Sequence, residues 1–249
     1  LIKVTPMSHT TVTAGIILIG DELLSGRTQD TNLRTIALFL APLGVQVGEA
    51  RIVSDNRETI IDTVRSFSAR FDYVFTTGGI GPTHDDITAD CIAAAMDVGI
   101  SEREDAVAEL LTRYPLEELN TARRRMARIP DGASLIKNPV TQAPGFQTGN
   151  VFTLAGVPGI MKGMLQDIGH RIKGGAEVFS RTVLAMGIGE GDAAEHLAAI
   201  ESGHAGVSIG SYPFFDADGR GVNFVARGRD PAVLDAVECK LQELVGELT

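Results

Sequence analysis

The sequence predicts an α/β layered fold with a mostly parallel sheet over residues 10–173, followed by a small α+β domain over residues 174–249. Strand and helix signals alternate from Val12 to about Lys173, the order that builds parallel sheets. Gly174-Gly175 then reads as a linker, and beyond it the order changes to strand, helix, two strands and a final helix.

Leu1 to Pro6 precede Met7-Ser8, which reads as a natural start, and they are set aside. Val12 to Ile19 is β-branched and apolar and reads as the first strand. Leu33, Ile36, Ala37 and Leu40 recur at helical spacing, and Val45 to Val53 follows Gly44 as a second strand. Asp55-Asn56-Arg57-Glu58 has the spacing of a capping box, with Ile60, Ile61, Val64 and Phe67 on the apolar face of the helix it opens. Phe71 to Phe75 reads as a buried strand leading into a glycine-rich turn, and a helix is expected from about Thr88 through Met96. Glu102 to Arg128 reads as two helices broken at Pro115. Val151 to Ala155 is a further buried strand, and Gly156-Val157-Pro158-Gly159 turns it into a helix through Ile168.

In the small domain, Val178 to Ile188 reads as a strand and Asp192 to Ile200 as a helix. Val207 to Tyr212 and Gly221 to Arg227 pair across a turn at Asp216 to Gly219. Asp230-Pro231 supplies an N-cap and an N1 proline for the last helix, whose apolar face carries Leu234, Val237, Leu241 and Leu244.

Composition narrows the function classes. The chain of 249 residues is 44% apolar, enough for a sizeable core, and its net charge of −10 disfavours nucleic acid and anionic membranes as partners. Residues 174–249 hold 12 Asp/Glu against 5 Lys/Arg, a net of −7. Near the start, the apolar run Ile16 to Ile19 is too short to span a membrane. Cys91 and Cys239 have no metal-binding or redox spacing, which fits a reducing compartment, and cytoplasmic residence is expected.

The chemistry concentrates in Thr76 to Thr88. Gly78, Gly79 and Gly81 allow positive φ and let an anion approach bare backbone N–H groups, while the helix that follows presents its partly positive end. Asp85 and Asp86 follow at once. Asp86 is either the cap of that helix or a ligand-facing acid. Gly20-Asp21-Glu22, at the end of the first strand, faces the same side of an open sheet. It is not a P-loop: five residues separate Gly20 from Gly26 where four are needed, and Arg27 stands in the lysine position. Asp21 and Glu22 are candidates for a divalent cation or a solvated turn, and Asp55 for a helix cap. Lys162, one of five lysines, is a candidate phosphate contact. Asn138 to Phe146 would shape a pocket wall. Arg123, Arg124, Arg125 and Arg128 form either a solvated basic face or a rim for a phosphorylated ligand.

Taken together, Gly20-Asp21-Glu22-Leu23, Thr31-Asn32, Asp55 to Glu58, Thr76 to Thr83 with Asp85-Asp86, Asn138-Pro139-Val140, Ala143-Pro144-Gly145 and Gly156-Val157-Pro158 resemble the molybdopterin-binding (MoaB/MogA-like) superfamily. Within it they are most similar to the N-terminal region of the CinA proteins and to the related domain of FAD synthases. The segment beyond residue 174 is similar to the second domain of such proteins, and the nicotinamide-nucleotide amidase domain of full-length CinA proteins is expected to be absent from this sequence. The resemblance implies a three-layer α/β/α sheet with its site across the Gly20, Asp55 and Gly78 loops. It implies active-site roles for Asp55 and Asp86; Lys162, which would neutralise phosphate charge, is expected to join them as catalytic, and ligand contacts are expected from Thr77, Gly78, Gly79, Gly81, Pro82, Thr83, Asn138, Gly145 and Pro158. It further implies a divalent metal (magnesium, manganese or cobalt) on Asp21, Glu22 and Asp86, and a homo-oligomer. The expected ligand is small and phosphorylated, a nucleotide such as ADP-ribose or FAD whose diphosphate is split, or a molybdopterin that is bound or adenylylated. A non-catalytic binding module is the remaining reading.

Overall fold

The computed structural model describes residues 11–216 and 219–249. The chain forms two compact units that part after Gly175. In chain order the first unit holds β1 (Val12–Ile19), α1 (Asp21–Leu24), α2 (Asn32–Leu40), β2 (Val45–Val53), α3 (Arg57–Arg70), β3 (Tyr73–Thr77), α4 (Thr88–Ala95), β4 (Ile100–Glu102), α5 (Glu104–Leu111), α6 (Thr121–Arg124), β5 (Arg128–Pro130), β6 (Ser134–Ile136), β7 (Gly145–Thr148), β8 (Val151–Leu154) and α7 (Pro158–Ile168). The second holds β9 (Phe179–Met186), α8 (Glu190–Ser202), β10 (Val207–Asp216), β11 (Gly219–Gly228) and α9 (Pro231–Leu248).

A six-stranded sheet of order β2-β1-β3-β8-β7-β6 is the frame of the first unit. Neighbours from β2 to β8 pair in parallel, and β7 runs antiparallel to both of its neighbours. Strand alternation feeds two cores. Ile17 and Ile19 of β1 join Ile60, Val64 and Phe67 of α3 and Ile92 of α4 on one face. Ile16 and Leu18 join Ile36 and Leu40 of α2 and Met161 and Leu165 of α7 on the other. The result is the expected three-layer α/β/α arrangement. Register brings the strand ends level, with Ile19 beside Val53, Leu18 beside Thr77 and Thr77 beside Leu154. The turns leaving β1, β2, β3 and β8 therefore open onto one edge, where open α/β sheets bind ligands.

Several local expectations are corrected. Asn56, not Asp55, caps α3: its side chain accepts from the Thr59 N–H at 3.0 Å, so Asp55 is free of that duty. Phe71 ends α3 instead of opening β3, because its ring is held against Phe67 with centroids 5.2 Å apart. The second helix expected after Pro115 is broken into a 3-10 turn at Leu116–Glu118, the single turn α6 and a 3-10 turn at Arg125–Ala127, and Arg128–Pro130 is drawn into a two-stranded sheet with β4. That pairing and the strands β6 and β7 have no counterpart among the sequence expectations. Each strand is three or four residues long, too short to show a period.

The second unit is a three-stranded antiparallel sheet of order β10-β11-β9, with α8 and α9 contributing Ala193, Leu197, Leu234, Val237 and Leu241 to its core. Asp230 caps α9 by accepting from the Ala232 N–H at 2.9 Å. Ala217 and Asp218, inside the expected turn, lie outside the described residues, as do Leu1 to Pro6 and Met7-Ser8. Among the described residues no helix is long and apolar enough to cross a membrane.

Candidate functional site

At the carboxyl edge of the six-stranded sheet lies a cavity of about 470 Å³. Its floor is the turn after β3. Gly78 (φ 105°) and Gly79 (φ 64°) occupy backbone conformations that favour glycine. A Cβ on Gly78 would stand 2.1 Å from the Ile19 carbonyl oxygen, and one on Gly79 would stand 2.2 Å from Thr88 Oγ1. The turn is pinned where the Gly78 N–H donates to the Leu154 carbonyl at 3.2 Å and the Gly79 carbonyl accepts from the Thr88 N–H at 3.0 Å. Among the described residues the N–H groups of Gly79, Ile80 and Gly81 have no protein acceptor, and all three residues line the cavity. Such unpaired donors, close to the start of α4, suit an anion.

Carboxylates stand around this cradle. Asp86 does not cap α4, whose N-cap is Ile87 without a side-chain bond. Its Oδ2 instead accepts from the Thr83 N–H at 2.8 Å and from the Thr83 hydroxyl at 2.5 Å, and among the described residues Oδ1 has no donor. Asp55 accepts from the Asp21 N–H at 3.0 Å through Oδ2, and its Oδ1 has no donor among the described residues. Burial pushes the Asp55 carboxyl above its ordinary range; the Asp21 N–H opposes this, and the charges of Asp21, Glu22 and Asp85 add to the rise. Glu22 lines the same cavity and folds its carboxylate over Gly20, where an added Cβ would stand 2.4 Å from its oxygens.

Apolar side chains complete the lining: Tyr114, Met126, Val157, Ile160 and Met164. Arg123 lies on the Tyr114 ring, its guanidinium carbon 4.4 Å from the centroid, and donates to the Glu118 carbonyl at 2.6 Å and to the Glu118 carboxylate at 3.3 Å. The cavity thus brings hydrogen-bond donors and acids together with apolar side chains and a cation. That shape fits a phosphorylated heterocycle.

The expected site residues divide. Gly78, Gly79, Gly81, Pro82, Asn138, Glu22, Asp55 and Asp86 all line the cavity. Thr83 acts through Asp86. Asn138 is 3% exposed, and all its hydrogen-bonding capacity is used inside its own loop, donating to Thr141 and the Ala143 carbonyl and accepting from the Val140 and Thr141 N–H groups. It therefore shapes the wall. Thr77 and Pro158 line a small adjoining pocket that shares Glu22.

Lys162, Gly145 and Asp21 are not brought to the cavity. Ile160 and Met164 give α7 its cavity face, and Lys162, two residues from each, falls about 200° away on the exposed side. Gly145 is buried in β7, where a Cβ would meet the Thr153 carbonyl at 2.5 Å, so strand packing requires it. Asp21 is exposed and contributes its N–H, not its carboxylate. Among the described residues no three His, Cys, Asp or Glu side chains stand as a ready metal cage, so Asp21, Glu22 and Asp86 are not assembled as a set. The open carboxylate oxygens of Glu22, Asp55 and Asp86 are hard donors of the kind magnesium or manganese takes.

The arginines expected as one basic face are separately engaged: Arg124 with Glu102 and Arg128 with Asp90, each at 2.5 Å, while Arg125 donates to the Asp86 carbonyl at 3.2 Å. Tyr114 and Met126 are wall residues that sequence reasoning misses. They sit in short irregular segments without a period, and Tyr114 stands out only as one of three tyrosines.

Residues 15–174 match the family described as the probable molybdopterin binding domain, and residues 177–248 match the FAD synthase middle domain. A CinA-like protein of Prochlorococcus marinus (strain MIT 9215) is 33% identical over 195 residues, covering 73% of this chain and 46% of its own length. A CinA-like protein of Gemmatimonas aurantiaca is 34% identical over 248 residues, 93% of this chain and 58% of its own. The chain spans about half the length of the curated relatives it matches. The crystal structure of the protein CinA, with unknown function, from Thermoplasma acidophilum is similar with a TM-score of 0.61 and 35% identity, covering 64% of this chain and 96% of that one.

Proposed function

The chain belongs to the probable molybdopterin-binding domain family, in its CinA-like branch, and from that premise we propose that its cavity binds a nucleotide diphosphate of the ADP-ribose or FAD type and hydrolyses it with a divalent metal. The observation that supports this most is the meeting of unpaired N–H groups at Gly79, Ile80 and Gly81 with the open carboxylate oxygens of Asp55 and Asp86 in one cavity. Donors without carboxylates would suit binding alone. Carboxylates without donors would repel a diphosphate.

In this reading the bare amides hold a non-bridging phosphoryl oxygen, and charge developing there in the transition state strengthens those bonds. Tyr114, Met126 and Ile160 take the heterocycle, and Arg123 meets the more distant phosphate. Asp55 Oδ1 accepts a proton from water. The water oxygen bonds to phosphorus, the bond from that phosphorus to the bridging oxygen breaks, and the bridging oxygen departs with the other phosphate monoester. Glu22 and Asp86 would hold the metal, which supplies charge neutralisation at the phosphoryl group. ADP-ribose would give AMP and ribose 5-phosphate. The ligand is a small molecule rather than nucleic acid, and the reaction is assigned to the cytoplasm and to a homo-oligomer.

Release of AMP from ADP-ribose and FAD by the purified chain, with magnesium, manganese or cobalt and with EDTA, tests the proposal. Metal-dependent release that falls at least tenfold in Asp86→Asn supports it. No release from either substrate moves the reading to molybdopterin binding, which the same apolar wall accommodates, and addition of ATP then separates adenylylation from binding alone.

A further inference from the structure

We propose that the first unit carries a second anion site, built from Arg124, Arg125 and Arg128 and taking a phosphate group. These side chains line a concavity of about 450 Å³ together with Ser101, Glu102 and Thr121. It shares no lining residue with the main cavity, although Arg125 and Arg128 also line a small pocket with Gly79, Ile80, Gly81 and Asp86, and the proposal does not need the diphosphatase reading.

Charge distribution carries the inference. Arg124 is matched by Glu102 and Arg128 by Asp90, each at 2.5 Å. Arg125 has no carboxylate partner among the described residues. Its Nη2 reaches only the Asp86 carbonyl, at 3.2 Å, and its Nε is buried with no acceptor. The concavity therefore keeps an unneutralised guanidinium in a chain whose net charge is −10. The buried Nε is closed to a diffusing ion, and an oxyanion is the partner that would neutralise this charge through the guanidinium N–H groups that stay accessible.

The surroundings fit a phosphate group in particular. Ser101 and Thr121 are exposed hydroxyls on the rim and add donors to the guanidinium forks. The pairs of Arg124 and Arg128 leave each arginine side chain 38% exposed, so both retain N–H groups for a second acceptor. A carboxylate ligand would use one fork, whereas a phosphate offers oxygens to several at once. The same oxygens are presented by free phosphate and by the end of a phosphate monoester.

The test is a residue-resolved titration of the full chain with inorganic phosphate, followed by amide ¹H–¹⁵N spectra, and repeated with AMP. Saturable shifts at the Glu102 and Thr121 amides are expected, weakened at least tenfold in Arg125→Gln. Ser101→Glu, an exposed substitution that places a like charge in the concavity, should abolish them even if Arg125→Gln fails to fold. AMP moving the same amides identifies a monoester site, and AMP leaving them unmoved identifies a site for the free ion. Phosphate shifts confined to Gly79–Gly81, or shifts at Thr121 that survive Ser101→Glu, would overturn the proposal.

Discussion

The turn after β3 and the turn after β1 lie against each other at the carboxyl edge of the sheet, yet they hold their groups by different means. The β3 turn is a backbone device. Gly78 and Gly79 sit at φ 105° and 64°, a Cβ on either would collide within 2.2 Å, and even the nearby acid, Asp86, is clasped to Thr83. The β1 turn is a charge device. Glu22 has no hydrogen-bond partner for its carboxylate among the described residues, and its charge crowds Asp55, which is held by a single N–H. Shape fixed by sterics is rigid and fails when an atom is added. Shape fixed by charge tolerates added atoms and responds to protons and cations instead.

The largest effect should come from breaking the steric half. Gly78→Ala forces a side chain into a left-handed conformation and against the Ile19 carbonyl. It should cost about 3 kcal/mol of stability, read as a lowered urea midpoint. Asp55→Asn breaks the charge half without steric cost. It should lower AMP release by about 10²–10⁴-fold at an unchanged urea midpoint near neutral pH or a slightly higher one.

The same variant isolates a pH dependence. Because the folded Asp55 carboxyl lies above its unfolded value, its contribution to stability is fully present below the ordinary aspartate range and is lost as pH rises through the folded value. In EDTA, wild type should therefore lose stability relative to Asp55→Asn as pH is raised from about 4. A gap between the two that closes instead of widening would mean that burial and the neighbouring carboxylates do not raise the Asp55 carboxyl.

Smaller effects sharpen the contrast on the apolar wall. Arg123→Ala should raise KM about tenfold with little change in kcat, whereas Lys162→Ala should change neither by more than about twofold, since only Arg123 reaches the cavity. Asn56→Ala should remove about 1 kcal/mol of helix-cap stability and leave KM alone, because the cap of α3 is Asn56 and Asp55 is not needed for it.

Much of this architecture is legible in the sequence. A strand followed by Gly78, Gly79 and Gly81 marks a turn that needs bare backbone, and the parallel alternation places it level with Gly20 and Asp55. Four of the six strands of the sheet, β1, β2, β3 and β8, and both of its helix layers follow from periodicity. What periodicity cannot show is direction within a turn or a face. Whether Asp55 or Asn56 caps α3 depends on which carbonyl side chain meets the Thr59 N–H, a choice between adjacent residues with similar propensity. Lys162 reads in the sequence as a cation near the cavity, but its place on α7 is set by which face Met161, Met164 and Leu165 bury. Arg123 and Tyr114 come together only through the irregular chain between α5 and α6, where the sequence carries no repeat to read.

A crystal structure of the Asp55→Asn variant with ADP-ribose and magnesium would test the central claim most directly, since substrate should persist once the proton acceptor is removed. Non-bridging diphosphate oxygens should then lie within hydrogen-bond reach of the Gly79, Ile80 and Gly81 N–H groups, with adenine against Tyr114 and Met126. A diphosphate bound elsewhere, with those N–H groups facing only solvent, would contradict the claim.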